Sequence, residues 1–244
     1  MVLLASCMAP LPSTAPAPGA PRDAPRLRAT AMGGPTTSGT SPDGSALAAL
    51  ARLKIKGRAP KTGYARAQFG DRWTDDNEEV WGHNGCDTRD DILRRDLTDV
   101  AIRSGGCKVS TGTLHDPYTG KDIAFVRGPA TSSLVQIDHV VPLANAWQTG
   151  AQSWTARQRR DFANDPLELI AVVGAINEAK SDGDAATWLP PAKGFRCTYA
   201  ARMVAIKLTW HLWVTPPESD ALRRILRACG TVGLPAEPGA LAHE

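Results

Sequence analysis

Four polar side chains that could take part in catalysis lie in two short stretches of the sequence. Asp138 and His139 follow an alternating run that predicts a half-buried strand, residues 135–137. Neighbours on a strand point to opposite faces, so both side chains serve one site only if the strand ends at this pair. Asn177 and Lys180 lie one helical turn apart, on one face of a run of good helix formers.

This set of groups suits phosphodiester hydrolysis. The carboxylate of Asp138 and the carboxamide oxygen of Asn177 are hard ligands for Mg²⁺, which keeps several waters when it binds to proteins. The imidazole of His139, with an ordinary pKa of about 6.5, can take a proton from water at neutral pH. Lys180 is expected beside a phosphate oxygen. The alternative is that these residues only cap turns and pack.

The surrounding pattern indicates the elements that hold these groups. A continuous apolar run at residues 167–173 predicts a second, more deeply buried strand, and Gly174 ends it. Helix formers follow over residues 175–181 until Gly183. The predicted order is therefore strand, loop, strand and helix, in a protein of the α+β class.

The segments IDHVVPLANAW, FANDPLELIAV and INEAKSDGDAATWLPP resemble the HNH endonucleases, in particular a secreted group similar to the C-terminal nuclease domain of GmrSD-type restriction enzymes. The resemblance covers about residues 64–229. It implies a ββα-metal core (His-Me finger) at about 134–184, with additional helices and a small β-hairpin. It also implies Asp138 and Asn177 as ligands of one divalent ion, Mg²⁺ before Mn²⁺ or Zn²⁺, and His139 as the general base. The implied substrate is DNA, with RNA left open.

One position departs from the family pattern. The middle asparagine of the motif falls at Glu168, which when ionised has no amide donor and cannot replace every hydrogen bond of Asn. Asn164 or Asp165 is then expected to hold the loop between the strands. The second interpretation is a non-catalytic nucleic-acid-binding or cell-envelope protein that retains the HNH fold.

Three arginines lie near the motif in sequence, on a predicted helix that begins with the capping box Thr155 to Gln158. They either bind phosphates or form a solvated basic face, and the bidentate fit of Arg to phosphate favours binding: Arg157, Arg159 and Arg160. The net charge of +3 permits nucleic-acid binding without requiring it.

The cysteines indicate export. Besides Cys7, four remain, and pairing between sequence neighbours predicts the disulfides Cys86–Cys107 and Cys197–Cys229; four free thiols are the alternative. The spacing C-x₂-C of structural zinc sites does not occur. The start MVLLASC ends like a bacterial lipoprotein signal, so a lipid on Cys7 is one hypothesis and a chance match the other. An extracellular or envelope-attached protein is expected.

The predicted domain organisation has four parts. Residues 1–8 would be the remnant of a lipoprotein signal, 9–45 a disordered spacer rich in Pro, Ala, Gly, Ser and Thr, 46–230 the nuclease domain, and 231–244 a disordered tail. Within the domain, residues 72–100 are predicted to be helical, and 107–114 and 123–126 to pair as strands around the turn HDPYTG. A monomer without protein partners is expected.

Overall fold

The computed structural model describes residues 44–104 and 106–235. The predictions for residues 1–8, for nearly all of 9–45, for Cys7 and for 236–244 lie outside the described residues. The helices are α1 (Ala46–Leu50), α2 (Thr88–Asp96), α3 (Leu143–Gln148), α4 (Ala156–Asn164), α5 (Gly174–Lys180), α6 (Arg196–Thr209) and α7 (Pro216–Ala228). The strands are β1 (Leu97–Ile102), β2 (Val109–His115), β3 (Asp122–Val126), β4 (Val135–His139) and β5 (Leu169–Val173).

The class is α+β, as predicted. Strands β1, β2 and β3 form one antiparallel sheet in that order, and β4 pairs with β5 in a separate antiparallel ladder. The ladder runs from Val135 opposite Val173 to His139 opposite Leu169, so β4 ends beside the start of β5. Helix α5 begins where β5 ends, and the predicted strand, strand and helix order is confirmed.

The small hairpin expected around HDPYTG is larger than predicted. Strands β2 and β3 do pair across this turn, but β1 adds a third strand. Leu97 and Val100, predicted on a helix, lie on β1 because Leu97 pairs across the sheet with Leu114. Of residues 72–100, predicted to be helical, only Thr88–Asp96 form a helix, and the carboxylate that caps it is Asp87, whose side chain accepts from the amide of Asp90. Long-range strand pairing decided this boundary over the local helical pattern.

Strand β5 is buried on both faces. Leu169 and Ala171 pack in an apolar cluster with α2, β2 and β4, while Ile170 and Val172 belong to the larger cluster around α6. This two-sided burial explains why the β5 sequence is continuously apolar instead of alternating. The strand that pairs with β4 is consequently packed between two cores.

The capping box predicted at Thr155 and Gln158 is present at the start of α4. Thr215 and Glu218 form a second reciprocal capping box at the start of α7. No described helix has both the length and the apolar character needed to cross a membrane.

Both predicted disulfides are confirmed. Cys86–Cys107 links the loop before α2 to the segment before β2, and Cys197–Cys229 links α6 to the end of α7. Residues 231–235, expected in the disordered tail, instead return to the start of the domain, where the carbonyl of Val232 accepts from the amide of Ala46 at 2.7 Å.

Candidate functional site

The open end of the β4–β5 ladder borders a cleft of 410 Å³. Asp138 and His139, the last residues of β4, line it together with Asn177 of α5. The structure thus brings together three side chains that are separated by up to 39 positions (177 minus 138) in sequence. They meet because α5 folds back against both strands of the ladder.

Asp138 is a buried carboxylate that accepts hydrogen bonds from two side chains. Its side chain Oδ2 accepts from the hydroxyl of Tyr118 at 2.6 Å, and its Oδ1 accepts from Nζ of Lys180 at 2.9 Å. Burial raises the pKa of Asp138, and the charge of Lys180 with both hydrogen bonds opposes the rise. An ionised carboxylate offers about four acceptor positions, so two donors leave capacity for a further ligand.

Lys180 does not occupy the predicted position beside substrate phosphate. It is 2% exposed, and its ammonium donates to Asp138 Oδ1 and, at 2.7 Å, to the carbonyl of His139. A buried ammonium is stable only when it is paired and hydrogen-bonded, so the charge of Lys180 is used in contacts within the protein. Its place in the site is to join α5 to the end of β4.

His139 is held by two contacts. Its Nε2 lies 3.1 Å from the carbonyl of Ala163, and its ring stacks on Trp73 with 5.7 Å between centroids and 15° between planes. Because a carbonyl only accepts, Nε2 carries the proton and Nδ1 is the acceptor. Burial, and next the nearby charge of Arg66, lower the pKa of His139 to about 3. The imidazole is therefore neutral at pH 7.

A chain of three side chains orients the carboxamide of Asn177. Gln136 donates through Nε2 to the carboxylate of Glu178 at 2.9 Å, so its Oε1 accepts from Nδ2 of Asn177 at 2.9 Å. A carboxylate is acceptor-only when ionised, and this fixes the orientation of both amides. Oδ1 of Asn177 is then the atom left for a cation.

The oxygens of Asp138 and Asn177 fit an ion that takes few protein ligands. Both residues line the cleft, and both have an acceptor not fully used by the protein. Within the described ranges, no cluster of three or more His, Cys, Asp or Glu side chains could enclose a metal. The donor set therefore fits Mg²⁺ or a similar hard ion that retains waters and binds substrate phosphate, and does not fit a closed structural site.

Glu168 itself ties the loop at the position of the family asparagine. It is fully buried, its carboxyl accepts from the amide of Val141 at 3.0 Å, and its carbonyl accepts from the amide of Val140 at 3.0 Å. Asp165 also holds the loop, because its carboxylate accepts from the backbone amide of Leu167 and from the indole of Trp210. Burial, and next the neighbouring Asp165, raise the pKa of Glu168 well above its usual range.

The other expected loop holder has a local role. The amide Nδ2 of Asn164 donates to the carbonyl of Arg160 at 2.9 Å, one turn earlier on α4. The loop between β4 and β5 is therefore held by Glu168 and Asp165.

The three arginines of α4 do not line the cleft. Arg157 pairs with Glu78 at 2.7 Å, and Arg160 with Asp76 at 2.8 Å. Arg159 donates to the carbonyl of Gln68 at 2.9 Å. Each of the three thus has a partner within residues 68–78, which gives the arginines a structural role, and their binding to phosphate stays a prediction.

Several residues at the site were not singled out from the sequence. Tyr118 stands in the quoted turn HDPYTG, and a buried tyrosine hydroxyl needs a partner, so that signal was present. The others come from a segment with no motif; they are Lys61, Tyr64 and Arg66, which line the cleft, and Trp73, which stacks on His139. Only the tertiary structure places them at the cleft.

The fold and the site define an α+β protein in which a strand, strand and helix unit carries a polar cleft. Residues 87–225 match the family model for the C-terminal domain of GmrSD restriction endonucleases, and the chain belongs to this family. It is also 36% identical over 197 residues to an uncharacterized secreted protein of Arthroderma benhamiae, covering 80% of this chain and 90% of that protein. No solved structure matches the chain.

Proposed function

We propose that this protein is an exported, metal-dependent endonuclease of the HNH type with low sequence specificity. One observation carries the proposal: Asp138, His139 and Asn177 line one cleft at the open end of the β4–β5 ladder. The strand, strand and helix order and the membership in a restriction-endonuclease family support it. We identify this unit with the ββα-metal core.

In the proposed reaction, Nδ1 of His139 accepts a proton from water while the water oxygen attacks phosphorus. The bond from phosphorus to the 3′ oxygen breaks, and that oxygen takes a proton from solvent, which leaves 5′-phosphate and 3′-hydroxyl ends. The carbonyl of Ala163 and the ring of Trp73 keep Nδ1 aimed into the cleft. Asp138 and Asn177 would hold a divalent ion, which would supply charge stabilisation at the leaving oxygen.

The chain supports this chemistry with fixed charges. Lys180 favours the ionised form of Asp138 through a direct ion pair, and its second bond holds the backbone at His139. Because the group that would accept the proton is neutral at pH 7, no prior deprotonation is needed. Because its pKa is lowered, His139 is a weaker base than an unperturbed imidazole.

Low sequence specificity and export follow from separate observations. Contacts to phosphate carry no sequence information, and the chemistry above uses only the backbone of the substrate. DNA is the expected substrate, and RNA shares the same phosphodiester. Two disulfides are typical of proteins outside the cytoplasm, and the fungal relative is named as secreted.

The test is cleavage of a supercoiled plasmid. The wild-type chain should nick it with Mg²⁺ or Mn²⁺ and stop when EDTA is added, and His139→Ala should abolish nicking with the fold intact by circular dichroism. His115→Ala is the matched control, because His115 is exposed, pairs with Asp122 and lies outside the cleft. Full activity of His139→Ala would remove the assignment.

A second candidate function is nucleic-acid or cell-envelope binding without cleavage. It is favoured by Asp138, whose two oxygens already accept hydrogen bonds from Tyr118 and Lys180. A gel shift with no cleavage under Mg²⁺, Mn²⁺ or Zn²⁺ would select this function. Cleavage under any of these ions would exclude it.

A further inference from the structure

Residues 58–73, which we call the wall segment, contribute three side chains to the lining of the cleft. They are Lys61, Tyr64 and Arg66, which line it together with the proposed catalytic residues. The family match begins only at residue 87, so the wall segment lies outside it. Its contribution therefore has to be argued from this chain alone.

Apolar contacts hold the wall segment against the domain. Phe69 is fully buried and packs against Trp147 and Phe162, at centroid distances of 6.5 and 6.2 Å. The indole of Trp147 also donates to the carbonyl of Thr62 at 3.3 Å. These contacts fix the segment on both sides of Arg66.

Polar contacts from α4 and from the loop that follows α5 complete the attachment. Arg159 donates to the carbonyl of Gln68, and Arg58 pairs with the buried Asp184 at 2.7 Å. Gly70 has a φ of +75° and approaches the side chain of Arg160 so closely that an added Cβ would lie 3.1 Å from it. Arg159 and Arg160 thus act on the cleft indirectly, because they contact the segment that carries Arg66.

Arg66 is a half-buried cation without an acidic partner among the described residues. Its guanidinium donates to the carbonyl of Gly70 at 3.2 Å, and burial and the charge of nearby Arg72 lower its pKa. By contrast, Lys61 pairs with Asp182 at 2.7 Å at an exposed position, where such a pair contributes little. A phosphate in the cleft would relieve an unfavourable charge at Arg66 and use the fork of donors that a guanidinium offers.

We propose that the wall segment is a nucleic-acid-binding surface in which Arg66 binds a backbone phosphate of the strand that enters the cleft. This inference rests on the proposed function for the nature of the substrate. It goes beyond it by assigning the contact to a segment outside the family match. Because the contact is to phosphate, it applies to any base sequence.

The experiment measures binding separately from cleavage. In the His139→Ala background with EDTA, fluorescence anisotropy of a short fluorescein-labelled DNA duplex is recorded over a series of salt concentrations. The variants are Arg66→Gln, Arg66→Lys and, as a matched control, Arg157→Gln, whose arginine is exposed and lies outside the cleft. Thermal unfolding of each variant checks that the wall segment stays attached.

The expected result is a loss of affinity of about tenfold for Arg66→Gln, with the salt slope smaller by about 0.9, the value for one phosphate contact. Arg66→Lys should keep the slope and lose part of the affinity, while Arg157→Gln should match the parent. Unchanged affinity and slope in a folded Arg66→Gln variant overturn the inference. If Arg66→Gln weakens binding as expected but the wild type does not cleave plasmid, the proposed function is overturned and the inference about Arg66 stands.

Discussion

The ammonium of Lys180 lies 2.9 Å from Oδ1 of Asp138, and both side chains are almost completely buried. The same ammonium also bonds to the carbonyl of His139. One side chain from α5 therefore favours the ionised form of the proposed metal ligand and holds the backbone of the proposed base. Helix α5 is thus linked to the proposed catalytic residues of β4 through Lys180.

Removing Lys180 should damage the fold as well as the proposed activity. We expect Lys180→Met to destabilise the protein by about 3–5 kcal/mol, because it leaves the buried carboxylate of Asp138 unpaired. Chemical denaturation measures this change, with Lys193→Met, at an exposed position, as the control. The double variant Lys180→Met with Asp138→Leu should recover stability without cleavage. Equal stability of Lys180→Met and the wild type would contradict the buried pair.

Trp73 should matter for rate more than for binding. Its ring supports the face of His139, so Trp73→Ala should lower kcat by about 10- to 100-fold through misplacement of Nδ1, with KM little changed. Trp73→Phe keeps an aromatic face and should keep most of the rate. Steady-state cleavage kinetics separate the two parameters. If Trp73→Ala cleaves at the wild-type rate, the stack does not position the base.

The pH dependence should reveal the lowered pKa of His139. The native pKa is about 3, below the unfolded value of about 6.5, so between these values the unfolded state binds more protons. The contribution of His139 to stability is present above the unfolded pKa and decreases as the pH falls from about 6.5 towards 3.

The measurement compares the free energy of unfolding of the wild type with that of His139→Gln, which does not titrate. The difference should move in favour of the variant as the pH is lowered across this window. A difference that stays constant from pH 7 to pH 4 would mean that the native pKa is ordinary. Buried carboxylates with raised pKa values, such as Asp138 and Glu168, contribute equally to both proteins and cancel.

Glu168 should tolerate an amide but not truncation. Glu168→Gln keeps an acceptor for the amide of Val141 and adds the amide donor that the family asparagine has, so stability and cleavage at pH 7 should persist. Glu168→Ala leaves that buried amide unpaired and should cost about 1–3 kcal/mol. Thermal unfolding and plasmid nicking of the two variants test this. Loss of activity in Glu168→Gln with the fold intact would show that the carboxyl group itself takes part.

The sequence determined the features that depend on neighbouring residues. The apolar run of β5 ending at Gly174 and the capping box at Thr155 were predicted correctly because each signal extends over a few residues. Both disulfides were predicted correctly because each joins cysteines that follow one another in the order of the four. The expected convergence of residues 138, 139 and 177 on one cleft is present, since a strand pair followed by a helix can fold back in few ways, while their catalytic and metal-binding roles stay a prediction.

Only the tertiary structure decided which charges belong to the interior and which face the cleft. Lys180 was expected at the phosphate and is buried against Asp138, whereas Arg66, which has no motif around it, lies in the cleft. The arginines of α4 form hydrogen bonds and ion pairs with a segment about 80 to 90 positions earlier. Whether a cation is paired depends on burial and on partners distant in the chain, and no local pattern encodes either.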